Sequence, residues 1–69
     1  LIINFEAMDI KLKFSIGEYC FLWEAPGRRA KHTIKAAYIQ SDGKGGVSIS
    51  YEMVDFQGLH LESTIYKVL

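Results

Sequence analysis

Val47-Ser48-Ile49-Ser50-Tyr51-Glu52-Met53 alternates apolar and polar side chains without a break, directly after the glycine-rich run Ser41-Asp42-Gly43-Lys44-Gly45-Gly46. Alternation of period two puts every second side chain on one face of a pleated strand. Such a strand needs its apolar face covered, because an isolated two-stranded ribbon is marginal in water. The segment therefore calls for a sheet with a core. The glycine-rich run supplies the reversal, and Lys31 to Gln40 is the expected hairpin partner. Thr33, Ile34, Tyr38 and Ile39 favour an extended conformation there, with a bend expected near Ala36-Ala37.

The same reading extends along the chain. Ile10, Leu12 and Phe14 alternate with Asp9, Lys11 and Lys13 as a strand or extended lead-in, which Ser15-Ile16-Gly17-Glu18 interrupts. Tyr19 to Glu24 is an aromatic-rich strand, and Ala25-Pro26-Gly27-Arg28-Arg29 a loop. After a turn at Asp55-Phe56-Gln57-Gly58, Leu59 and Leu61 alternate with His60 and Glu62, so His60 is expected at the surface. Ser63-Thr64-Ile65 suits one helical turn, and Lys67-Val68-Leu69 a last short strand. Leu1-Ile2-Ile3-Asn4-Phe5 is read as an ordered edge strand. The alternative is that Met8 is the natural start and what precedes it an upstream remnant.

Five or six short strands, tight turns and one late helical turn make an all-β fold, a small and strongly bent barrel. Residues 1–13 are assigned to an N-terminal extended segment or extra edge strand, and residues 14–69 to the barrel. Phe14-x-Ile16-Gly17-Glu18-x-Cys20 resembles the opening of SH3-like barrels, although Cys20 stands where valine is commoner. Tyr51-x-Met53, Gly58 and Leu61-Glu62-Ser63-x-Ile65-Tyr66 resemble their closing half. The resemblance spans residues 14–66. It implies a fold and a habit of binding, with no particular ligand.

Composition narrows the functional classes. Eight basic and eight acidic side chains cancel, which argues against bulk electrostatic binding to nucleic acid but leaves room for a local patch. No apolar run is long enough for a membrane-spanning helix. The one cysteine excludes an internal disulfide and fits a reducing, cytoplasmic setting. With 49% hydrophobic residues in 69, one small core has more apolar surface than it can hide, and a homo-oligomer is expected. So short and self-contained a chain also fits a phage or mobile-element origin.

Two groups of residues stand out. With Cys20 and Leu22 pointing inward, Tyr19, Phe21 and Trp23 share the opposite face, as packing under the N-terminal segment, as an interface or as a stacking surface. Arg28, Arg29, Lys31, His32 and Lys35 crowd one stretch, as a solvated loop or as phosphate contacts through Arg28, Arg29 and Lys31. Cys20, His32 and His60 match no zinc spacing, so no metal is assigned, and no cofactor either. Gly43-Lys44-Gly45-Gly46 lacks the spacing and the following helix of a phosphate loop. The carboxylates Glu6, Asp9, Glu18, Glu24, Asp42, Asp55 and Glu62 are scattered, and no catalytic residue is nominated.

The leading expectation is a non-enzymatic binding module that self-associates, with Tyr19, Phe21 and Trp23 as its contact face. The second is a nucleic-acid binder using Arg28, Arg29, Lys31 and Trp23, and a protein partner is a further possibility. The third is an oligomeric enzyme with its site at a subunit junction.

Overall fold

A computed structural model describes residues 2–5, 8–25 and 27–68. Leu1 of the expected edge strand, Pro26 of the expected turn, Leu69 of the expected last strand and the carboxylate Glu6 lie outside the described residues. The fold is all-β. Strand β1 (Ile2–Phe5) and β2 (Met8–Lys11) pair antiparallel as a hairpin of their own. Five further strands form one sheet: β3 (Tyr19–Ala25), β4 (Arg28–Ser41), β5 (Val47–Met53), β6 (Leu59–Leu61) and β7 (Tyr66–Lys67). A 3-10 turn, Glu62–Thr64, separates the last two.

The sheet order is β6-β5-β4-β3-β7, so consecutive strands β6 and β7 occupy opposite edges. In a flat sheet those edges would stand about 19 Å apart, four spacings of roughly 4.8 Å. The link from Leu61 to Tyr66 reaches only about 13 Å, since three of its residues rise by about 2 Å each in the 3-10 turn. The sheet must therefore be rolled. Its bend lies in β4, whose 14 residues pair with β3 in the first half and with β5 in the second. The register shifts between Ile34 and Ala36, and a bulge of this kind turns a strand from one partner to the next. That shift falls beside Ala36-Ala37, where the bend is expected.

Strand alternation sets the core. Phe14, Cys20, Leu22, Ile34, Tyr51, Met53 and Ile65 are buried together, with Ala37, Ile49 and Phe56 packed against them. Val47, Ile49, Tyr51 and Met53 form the inward series of β5, the first two partly covered and the last two buried. Phe14 meets Tyr51 edge to face, with ring centres 5.4 Å apart. Two turns depend on glycine. Gly17, at φ +89°, makes the reversal before β3, and its amide donates to the Ile34 carbonyl at 2.8 Å. In the β4–β5 turn the Asp42 carboxylate accepts from the amides of Lys44 (2.7 Å) and Gly46 (3.0 Å). A Cβ at Gly46 would meet that carboxylate at 2.6 Å.

Strand β6 corrects one expectation. Tyr51 is the register partner of His60, and opposed residues share a face, so His60 turns toward the core side. Leu59 and Leu61 are 60% and 52% exposed instead. The helical turn starts one residue earlier than expected, with Leu61 at its N-cap and no side-chain cap. The Thr64 hydroxyl donates back to the Leu61 carbonyl at 2.7 Å.

Candidate functional site

Strand β3 carries the aromatics because its odd-numbered residues face away from the core. Cys20 and Leu22 are buried, while Tyr19 and Trp23 are 55% and 54% exposed and Phe21 is half-buried. The register with β4 opposes Trp23 to Arg29, Phe21 to Lys31 and Tyr19 to Thr33. On the other side β7 opposes Tyr66 to Phe21. One outer face of β7-β3-β4 therefore carries Tyr66, Tyr19, Phe21, Trp23, Arg29 and Lys31, and none of its paired positions holds a carboxylate.

Both cations lean diagonally toward the start of β3. Lys31 Nζ sits 4.4 Å from the ring centre of Tyr19, and the Arg29 guanidinium 5.1 Å from that of Phe21. Each cation thereby covers a ring one pair along from its own strand partner, an attraction of roughly 0.5–1 kcal/mol at exposed sites. Among the described residues, no cation lies over Trp23 or Tyr66. The indole and the Tyr66 ring are the uncovered plates on this surface.

The other members of the basic stretch have other partners. Arg28 pairs with Ala25 beyond a register shift in β3, at the start of β4 beside Arg29. Lys35 reaches Glu52 at 3.5 Å. His32, opposite buried Cys20, is turned inward: its side chain is 8% exposed, and Nε2 lies 3.1 Å from Glu24 Oε2. The His32 ring stacks on Phe56 (5.0 Å between centres), which stacks on His60 (4.9 Å). His60 Nε2 is buried without a hydrogen-bond partner among the described residues.

Cys20 lies in the core beside Met53, its sulfur 3.7 Å from the thioether. Burial, and then the Glu18 carboxylate, push its thiol pKa up, the opposite of what a nucleophile needs. Beside Asp9, Glu24 and Asp42, two more of the scattered carboxylates have structural partners. Glu18 accepts from the Ser15 amide at 2.9 Å and from Lys67 Nζ at 3.1 Å. Glu62 accepts from the Tyr51 hydroxyl and the Lys13 amide. No group of three or more His, Cys, Asp or Glu with metal-binding geometry occurs among the described residues.

Tyr66 is the face residue that sequence reasoning missed. It arrives because two residues of β7 pair back onto β3. Its position next to core residue Ile65 was the available signal, since neighbours in an extended segment point apart. Among the described residues, no helix is long and apolar enough to cross a membrane. No protein-family model, no curated protein and no solved structure matches this chain.

Proposed function

We propose that the chain is a small non-enzymatic binding module whose contact surface is the outer face of β7-β3-β4. The observation that carries the reading is the gathering of four aromatic side chains and two cations on one carboxylate-free sheet face. Exposed aromatics of this density are characteristic of contact surfaces, where they offer large area at low entropic cost. The short strands and the late helical turn support an SH3-like assignment for residues 14–66, and on such a fold function lies in surface residues.

The test is to separate stability from surface chemistry. Tyr19→Ser and Trp23→Ser are expected to change stability by less than about 1 kcal/mol each, the range of exposed cross-strand pairs. Urea unfolding measures this. A loss of several kcal/mol would make these rings structural cladding and end the proposal.

Self-association is a second reading, favoured by a different surface. Leu59 and Leu61 of edge strand β6 are more than half exposed, beside a strand edge with unpaired backbone groups. Light scattering from micromolar to millimolar protein is expected to show a mass that rises with concentration and falls back in Leu59→Lys. A constant monomer mass refutes it.

A further inference from the structure

We infer that the occupant of the aromatic face is single-stranded nucleic acid. The inference rests on the proposed contact surface and adds the class of ligand that its chemistry selects.

Charge is the first argument. Arg29 and Lys31 have no carboxylate opposite them on the face, so its local field is positive although the chain as a whole is neutral. A two-fold contact between copies of this face would gather both chains' Arg29 and Lys31 in one interface, with no carboxylate at the paired positions of either face to neutralise them. A polyanion meets the same face with complementary charge.

Geometry is the second. Tyr19, Phe21 and Trp23 follow one another at two-residue intervals, about 6.7 Å apart on an extended strand. Bases in a duplex are spaced by roughly 3.4 Å along each strand. A row of rings at twice that interval suits bases that are unstacked and spread, and only a single strand presents them so. Trp23 and Tyr66, half exposed, offer ring faces free of any cation among the described residues. Base stacking on aromatics tolerates every sequence, because each base has a π face.

The cation placement links the two. In the free protein Lys31 and Arg29 rest on the rings of Tyr19 and Phe21. A phosphate oxygen is a stronger partner for either cation than a ring is. A strand laid across β3 would draw both cations toward its backbone and uncover those rings for its bases. An acidic peptide could satisfy the cations but brings few flat groups for the rings.

The test uses the whole chain with mixed-sequence 12-nucleotide single-stranded DNA and RNA, the matching DNA duplex, and poly-glutamate, read by the emission of the only tryptophan. Single strands are expected to quench Trp23 and to bind more tightly than duplex or poly-glutamate. Two phosphate contacts give a slope of about −1.4 in log K against log salt, so affinity should fall about sevenfold from 50 to 200 mM. Lys31→Ala is expected to halve that slope. Trp23→Phe, which keeps a ring, should retain most of the affinity, while Trp23→Ala should lose about tenfold, followed by fluorescence anisotropy of labelled oligonucleotide. The DNA and RNA arms tell which single strand is preferred. Any of these outcomes overturns the inference: no binding at low salt, binding to poly-glutamate as tight as to single strands, preference for duplex, or indifference to Trp23→Ala. Trp23 emission that shifts with protein concentration alone would assign the face to a second copy, refuting nucleic acid while sparing the contact surface. The stability test on Tyr19 and Trp23 decides the surface itself.

Discussion

The Tyr51 hydroxyl donates to Glu62 Oε2 at 2.6 Å and accepts from the Phe14 amide at 3.3 Å. One side chain of β5 thereby ties the lead-in to β3 to the 3-10 turn that links the sheet's two edges. The same Glu62 oxygen accepts from the Lys13 amide at 3.1 Å, and Lys13 Nζ donates to the Ile65 carbonyl at 3.0 Å. The roll of the sheet is fastened where its edges approach.

Removing that hydroxyl tests the fastening. Tyr51→Phe keeps the ring in the core but leaves the Phe14 amide without its acceptor, and is expected to cost about 1–3 kcal/mol. Tyr51→Ala also empties the core and should cost roughly 3–5 kcal/mol. The phenol adds a pH signature. Burial, reinforced by the hydrogen bond to Glu62, raises its pKa from 10.0 to about 12. The neutral phenol is the form the fold holds, so the stabilisation is whole below pH 10 and is lost as pH rises toward 12. Urea midpoints at successive pH values should fall more steeply above pH 10 for the wild type than for Tyr51→Phe; parallel curves would refute this.

At the acid end the sensitive group is Glu18. The Ser15 amide first, and the Lys67 ammonium next, hold its carboxyl below the usual carboxylate value. A depressed carboxylate stabilises the fold above its unfolded pKa, and the contribution disappears as pH falls through the folded one. Glu18→Gln is therefore expected to flatten the loss of stability below pH 4.5 while lowering stability at neutral pH. Thermal midpoints between pH 2.5 and 7 decide it. An unchanged acid limb would show that the Ser15 turn and β7 do not depend on this carboxylate.

How far the sequence could be read depended on strand length. In β5 the apolar–polar alternation runs for seven residues, enough to fix both faces from local pattern, and Tyr51 and Met53 are buried as that pattern implies. By contrast, β3 is apolar at six of its seven positions, so period two separates its two faces but only the burial of Cys20 and Leu22 tells which one is inside. Strand β6 has three residues, too few for alternation to carry meaning. There the pairing of His60 with Tyr51 decides, and it puts the polar side chain inward. The candidate site shows the same division. Tyr19, Phe21 and Trp23 are visible as a face in one strand, whereas joining them to Arg29, Lys31 and Tyr66 needs the registers of β4 and β7. Those registers also turn His32 away from Arg29 and Lys31, toward the core side. Proximity in sequence had grouped residues that strand alternation sends to opposite sides.

The reversal in β6 is itself testable. His60 stacks on Phe56, and Phe56 on His32, so His60→Ala should break a three-ring stack that closes one end of the core. Leu61, half exposed, holds no comparable contact. Leu61→Ser is expected to fall within about 0.5 kcal/mol of wild type, as surface substitutions do. His60→Ala should cost clearly more in the same urea titration. The opposite ranking would mean that β6 is paired one residue out of register.

The β4–β5 turn offers a coupled pair. Asp42 Oδ1 accepts from the Lys44 and Gly46 amides, and a side chain at Gly46 would stand 2.6 Å from the same carboxylate. Gly46→Ala must therefore push Asp42 off the amides it caps, at a cost of about 1–2 kcal/mol, comparable to losing hydrogen bonds to a charged group. Asp42→Ala loses the same bonds by another route. Once the carboxylate is gone, Gly46→Ala has nothing left to displace, and the double variant should be little less stable than Asp42→Ala alone. A double-mutant cycle on unfolding free energies reads the coupling directly. Full additivity would show that the carboxylate is not what reserves this position for glycine.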